Sequence, residues 1–226
     1  MIRPLATALL ELLYPPRCAA CGEDVDEEPF CAICGDAVDP VPPGCARCGL
    51  PGPADLCGGC ALSPPSFVSL AAGGLFGGPL ADAVHAFKYG ERPALARPLG
   101  AWLAGRVEAP PGARVLEVPL ARRRRIARGY DQAALLADAL ARAWGAPRLR
   151  LALTRVRETP PQVGRSRDER RRNLAGAFEA HPAVSGLDLV LVDDVVTTGA
   201  TVDAAASALV RAGARSVRVV AIGRAE

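Results

Sequence analysis

Leu189-Val190-Leu191-Val192-Asp193-Asp194-Val195-Val196-Thr197-Thr198-Gly199-Ala200-Thr201 is the stretch that decides the fold. Four apolar β-formers followed by two acids read as a buried strand whose carboxyl end opens into a site. A polar turn comes next, and Val202 to Ala212 then has the Ala and Leu content of a helix that stops near Gly213, a natural left-handed cap. Strand, turn and helix in that order set several backbone N–H groups and hydroxyls at the positive end of a helix dipole, which is a nest for a phosphate dianion. Asp193 and Asp194 cannot serve the phosphate; they accept hydrogen bonds from sugar hydroxyls or orient water on a hard cation. Phosphate, hydroxyls and Mg²⁺ together point to a phosphoribose, against the plainer reading of a solvent-facing acidic turn after a core strand.

This stretch resembles the diphosphoribose-binding signature of the phosphoribosyltransferases: an apolar strand, two acids, then a Thr-Thr-Gly-x-Thr loop. The resemblance implies that Val196, Thr197, Thr198, Gly199, Ala200 and Thr201 wrap the 5-phosphate of phosphoribosyl diphosphate. Asp193 and Asp194 would hold its 2- and 3-hydroxyls as the catalytic pair, with Mg²⁺ on the diphosphate. Hypoxanthine-guanine transferases carry an acid where Thr197 stands, so that subclass is disfavoured. The implied fold is α/β: a type I phosphoribosyltransferase-like, mostly parallel sheet flanked by helices.

Composition agrees. Half of the 226 residues are apolar but only 4% aromatic, so the core is built from Ala, Val and Leu, which suits buried parallel strands. That length accommodates one domain with a proper core and a small appendage. The appendage is legible in the cysteines. All eight fall between Cys18 and Cys60, in four C-x-x-C pairs: Cys18/Cys21, Cys31/Cys34, Cys45/Cys48 and Cys57/Cys60.

Each C-x-x-C turn points two thiolates at one ion, and Gly22, Gly35 and Gly49 after three of the pairs allow the tight backbone of a zinc knuckle; Ala61 departs from that pattern. Eight thiolates suffice for two closed, structural Zn²⁺ sites. Consecutive pairing and a cross-braced arrangement both fit the spacing, and an iron–sulfur cluster also takes four thiolates. In a reducing compartment metal is favoured over disulfides. The Ser63-Pro64-Pro65-Ser66 stretch marks the boundary, giving a zinc-ribbon or knuckle module over 1–64 and the phosphoribose domain over 65–226.

The net charge of +3 conceals an asymmetry. Residues 1–62 carry three Arg against nine acids, whereas 63–226 carry 24 basic and 15 acidic residues. The cysteine module is therefore a poor candidate for gripping nucleic-acid phosphates, and the larger part a better one. The apolar stretch Leu5 to Tyr14 contains Glu11, is too short to span a bilayer and precedes no A-x-A-like cleavage site, so a cytoplasmic protein without a membrane span is expected.

Val115 to Pro119 reads as a second strand leading to a loop with Arg122, Arg123, Arg124, Arg125 and Arg128. These guanidinium groups neutralise a diphosphate or bind nucleic-acid phosphates, unless they are a solvated basic turn. Asp131 to Trp144 follows as a helix stopped by Gly145, with Leu135, Leu136 and Leu140 on one face. Lys88 is the only Lys beside 26 Arg, which hints at a role for a compact ammonium at an anion. A second basic region, Gln162 to Arg172, has no strand periodicity and reads as a flap or solvated helix.

The whole order of motifs resembles the ComF/ComFC competence family: C-x-x-C pairs, Phe87-Lys88-Tyr89-Gly90, Arg128-Gly129-Tyr130-Asp131-Gln132 where Arg-Gly-Phe-Asn-Gln is usual, Gln162-Val163-Gly164, Arg170 to Asn173, Gly176-Ala177-Phe178 and the acidic phosphate loop. The resemblance implies a cytoplasmic protein of DNA uptake, acting on incoming single-stranded DNA alongside other uptake proteins, with a pocket for phosphoribosyl diphosphate or a related nucleotide. Two other readings stand beside it: an active transferase with an unassigned acceptor, and a non-catalytic module that senses nucleotides and docks partners.

Overall fold

The Leu189–Val192 run lies inside a four-stranded parallel sheet of order β1-β6-β5-β2. Its strands are β1 (Ser69–Leu75), β2 (Arg114–Glu117), β5 (Asp188–Val196) and β6 (Ser216–Arg224). The computed structural model describes residues 16–25, 29–90, 92–158 and 173–225. Two segments read from sequence, the apolar stretch Leu5 to Tyr14 and the basic region Gln162 to Arg172, therefore lie outside the described residues. A second, antiparallel pair joins β3 (Leu153–Arg155) to β4 (Phe178–Ala180).

Helices cover both faces of the parallel sheet, and the strand residues alternate between them with the period of two that a pleated strand imposes. Val190, Val192, Val220 and Ile222 pack with Leu80, Val84 and Phe87 of α3 (Gly78–Tyr89), Leu99 and Leu103 of α4 (Ala96–Ala104) and Leu136 and Leu140 of α6 (Gln132–Trp144). Leu189, Leu191, Val217 and Val219 pack with Val202, Ala205 and Leu209 of α7 (Ala200–Arg211) and with Phe178. Each Val, Leu, Ile or Phe side chain among these contributes about 1.5–3 kcal/mol on removal from water. A Cβ on Gly100 would stand 2.5 Å from that of Ala139, so α4 and α6 approach more closely there than a larger residue allows.

The structure departs from the sequence reading at the second strand and in the segment after it. Pairing with β5 ends at Glu117, and Arg122–Arg128 is a short helix, α5, rather than a loop. Arg is a good helix former, and Gly129 at φ 78 closes the turn by donating its N–H to Arg125 O. Asp131 then caps α6, its Oδ1 accepting from Ala134 N. Among the described residues no helix is long and apolar enough to cross a membrane.

The cysteine residues dock on opposite sides of this frame. Val38, beside the first four cysteines, packs against the α3–α4–α6 side, and Leu75 N donates to Asp39 O at 2.8 Å. Cys45, Cys48 and Cys60 instead share the core of the α7 side with Phe67, Leu70 and Val219.

Candidate functional site

α6 follows β2 on one face of the sheet and α7 follows β5 on the other. The adjacent strands β2 and β5 therefore part at their carboxyl ends, the crevice where open α/β sheets bind ligands. A cavity of about 390 Å³ occupies that place, lined by Asp193, Asp194 and the whole Val196–Thr201 loop. Lys88, Arg124, Arg128, Gln132 and Arg155 also face it.

The loop has the geometry of an anion cradle. Gly199 sits at φ 77, the left-handed region, which turns the chain from β5 into α7 and aims the first helical N–H groups inward. Ala200 N donates to Thr198 Oγ1 at 3.5 Å. Asp203 N bonds Gly199 O and begins the helical ladder.

The two acids have different surroundings. Asp194 is buried and held by three partners: Lys88 Nζ lies 2.8 Å from its Oδ1, which also accepts from Val195 N at 2.6 Å, and Gln132 Nε2 donates to its Oδ2 at 3.0 Å. Asp193 faces the cavity and accepts from Asp194 N at 2.9 Å. Burial first, and then the charge of Asp194, push the Asp193 carboxyl up to about 7, with Lys88 working in the opposite direction. Asp193 therefore changes charge near neutral pH, the range in which a sugar-binding or proton-handling carboxylate is useful.

Two buried polar atoms on this wall, Arg128 Nη1 and Gln132 Oε1, have no partner among the described residues. Both residues line the polar cavity, and because a buried donor and acceptor are costly to leave unpaired, small side-chain shifts toward an anionic, hydroxyl-bearing ligand would be favoured. Arg128 itself is steadied by Tyr89: its guanidinium carbon lies 4.8 Å from the ring centroid and Nη2 donates to Tyr89 Oη at 3.2 Å. Tyr130 Oη donates to Phe87 O, fastening the turn before α6 to the end of α3.

Of the basic residues singled out from sequence, Lys88, Arg124 and Arg128 line the cavity. Arg122, Arg123 and Arg125 lie exposed on α5 outside it. Sequence reasoning assigned no role to Gln132, although it ends the Arg-Gly-Tyr-Asp-Gln motif, nor to Arg155, which burial and the neighbouring Arg124 disfavour as a cation. It also passed over Arg224, 4% exposed, which shares its strand with a second arginine, Arg218, and is singled out by no local pattern.

The cysteines form two quartets, Cys18/Cys21/Cys31/Cys34 and Cys45/Cys48/Cys57/Cys60, each with its sulfurs within 4.8 Å of one another. Pairing is therefore consecutive. Cys21 Sγ and Cys31 Sγ are 3.8 Å apart and Cys48 Sγ and Cys57 Sγ 3.7 Å, against about 3.8 Å for a tetrahedron with Zn–S bonds of about 2.3 Å. The donor sets fit structural Zn²⁺. Each quartet joins one glycine knuckle, with Gly22 at φ 80 and Gly49 at φ 62, to one pair that opens a helical turn, α1 (Ala32–Asp36) and α2 (Gly58–Leu62). This explains Ala61: the residue after Cys60 is helical and needs no glycine. Gly35 is likewise helical, so the knuckle reading fails at that position.

The family model of a double zinc ribbon domain matches residues 9–63, and that of a phosphoribosyl transferase domain matches 127–224. A DNA utilization protein YhgH from Salmonella typhi is 39% identical over 184 residues, 77% of this chain and 81% of the relative. Competence protein F of Haemophilus influenzae is 30% identical over 224 residues, 92% of this chain and 90% of the relative. The chain belongs to the ComF family. Among solved structures, a glutamine phosphoribosylpyrophosphate amidotransferase from B. subtilis, complexed with ADP and GMP, superposes with a TM-score of 0.40 at 26% identity, over 55% of this chain and 25% of that one. At 92% of this chain, the match to Competence protein F takes in both the cysteine module and the α/β domain.

Proposed function

We propose that this ComF protein binds phosphoribosyl diphosphate, or a nucleotide carrying the same phosphoribose, in the cavity between β2 and β5, and handles single-stranded DNA during uptake in the cytoplasm. The observation that carries the pocket reading is the conjunction of the Gly199-turned loop with the acid pair on one cavity wall. The 5-phosphate takes the N–H groups of Val196–Thr201, the 2- and 3-hydroxyls donate to Asp193 and Asp194, and the diphosphate meets Arg128 and Arg124. When bound, Mg²⁺ would neutralise part of the diphosphate charge; the chain's own contribution is to hold the ribose and exclude competing orientations.

The DNA reading rests on the names of the relatives, on the basic excess of residues 63–226 and on the exposed arginines of α5 beside the pocket mouth. In this reading residues 1–64 are the metal-held module and 65–226 the ligand-binding domain. Calorimetric titration of the zinc-loaded protein with phosphoribosyl diphosphate and Mg²⁺, beside an Asp193→Ala/Asp194→Ala variant, tests it. Binding that disappears in the variant supports the pocket; equal binding by both proteins, or none by the intact protein, removes it.

A further inference from the structure

We infer that Arg224 is a positioning residue that ties the second cysteine quartet to the phosphate loop, so that Zn²⁺ occupancy of that quartet and affinity for a ribose 5-phosphate group are thermodynamically linked. The inference rests on the phosphoribose reading of the pocket for its ligand, and on the hydrogen bonds of one buried guanidinium for its mechanism.

Arg224 closes β6, in register with Val196 at the end of β5. Its Nε donates to Cys48 O at 3.2 Å. Its Nη1 donates to Val196 O at 3.2 Å and to Thr197 O at 2.5 Å, and also to Ala225 O. One planar cation therefore holds the backbone of a metal-ligand residue and the carbonyls of the first two residues of the anion cradle. Ala225 N returns a bond to Val196 O at 2.9 Å, fixing the same turn from its other side.

The contact continues beyond Arg224. Cys48, Pro65 and Phe67 face Thr198, Gly199 and Ala200 across a small cleft. Ser66 N donates to Asp203 Oδ1 in the first turn of α7 at 2.7 Å. Arg47 Nε donates to Phe67 O at 3.3 Å, binding the knuckle to this segment. Quartet, linking segment and loop are thus one hydrogen-bonded block.

The first quartet supplies an internal control. It docks beside the end of β1, where Leu75 N donates to Asp39 O, and none of its cysteines lines the cleft that sets Cys48 against Thr198, Gly199 and Ala200. A buried Arg chelating carbonyls demands that they stay convergent, because unpaired charge in the interior is costly. Release of the ion frees the Cys45–Cys48 knuckle to move, Cys48 O leaves the guanidinium, and the fork that orders Val196 and Thr197 loses one arm. By linkage, a ligand that orders the loop must stabilise the quartet by the same factor.

The test uses the full-length zinc-loaded protein and a chromophoric chelator that reports zinc release, with and without saturating phosphoribosyl diphosphate and Mg²⁺. Two kinetic phases are expected. The ligand slows one by roughly fivefold or more, the lower end of ordinary coupling between sites, and leaves the other unchanged. In Arg224→Lys, which keeps the charge but cannot span both carbonyl sets, the protection falls below about twofold, the ligand binds about tenfold more weakly, and one phase is faster even without ligand.

Ligand binding by the wild type with neither phase slowed overturns the inference, as does unaltered affinity in Arg224→Lys. If the wild type binds no phosphoribosyl diphosphate, the pocket reading has failed; the tie is then judged by release without ligand, where equal rates in the variant and wild type overturn it. If the variant does not fold, the wild-type protection experiment decides alone.

Discussion

Asp193 should make the pH dependence of stability and of ligand affinity run in opposite directions. Its carboxyl is raised from 3.8 to about 7 by burial and by Asp194. A raised acid gives stability that is full below its unfolded value and is lost as pH rises through its folded value. Between pH 6 and pH 8 the unfolded chain is already ionised, so only the folded group titrates. For a folded value near 7, its contribution falls by about 1.4 kcal/mol across that interval.

Ligand affinity should move the other way, because hydroxyls donate to the carboxylate and the ionised fraction rises from roughly one in eleven to ten in eleven, close to tenfold. The second ionisation of the ligand's phosphate, near pH 6, adds about twofold. Urea denaturation and calorimetry at pH 6, 7 and 8, on zinc-loaded wild type and Asp193→Asn, separate these effects. The Asn variant should lose the stability slope, be the more stable protein at pH 8, and keep only the shallow affinity slope of the phosphate. Parallel stability slopes in the two proteins would refute the assignment of the titration to Asp193.

Three further outcomes are expected. Gly199→Ala has room for its Cβ, the nearest atom being Val196 Cγ1 at 4.0 Å, so its cost is the left-handed backbone alone, about 1–2 kcal/mol by urea denaturation, with Gly199→Asn milder; an Ala variant as stable as wild type contradicts the loop conformation. Replacing Arg122, Arg123 and Arg125 by Ser should reduce the log–log salt slope of single-stranded DNA binding by about 2, at roughly 0.7 per phosphate contact, and leave phosphoribosyl diphosphate affinity within about twofold; an unchanged slope removes α5 from the DNA surface. Chelating zinc should lower the main melting transition seen by calorimetry, because Cys45, Cys48 and Cys60 sit in the α/β core. An unshifted main transition would mean that the quartet is dispensable to that core.

The parts of the fold written in contiguous sequence are legible there, and those made by distant residues are not. The strand before Asp193, the turn at Gly199 and the stop at Gly145 each follow from local pattern and backbone chemistry. The four C-x-x-C pairs announce two metal sites, but consecutive pairing depends on how two ribbons fold back, which the similar spacings of 9, 10 and 8 residues do not determine. Lys88 stands out as a lone Lys, yet its partner Asp194 lies 106 positions away and only the sheet brings them together. Arg224 is silent for the same reason: its hydrogen bonds reach Cys48 and Thr197 across tertiary contacts. The arginine run reads as a loop because charge density masks ordinary helix propensity.

The central claim is that the cavity at the ends of β2 and β5 holds a phosphoribose, and a crystal structure of the zinc-loaded protein with phosphoribosyl diphosphate and Mg²⁺ tests it most directly. The account predicts the 5-phosphate on the N–H groups of Val196–Thr201 and the ribose hydroxyls within hydrogen-bond distance of Asp193 and Asp194. A ligand seated on the arginines of α5, with the Gly199 loop unengaged, would contradict it.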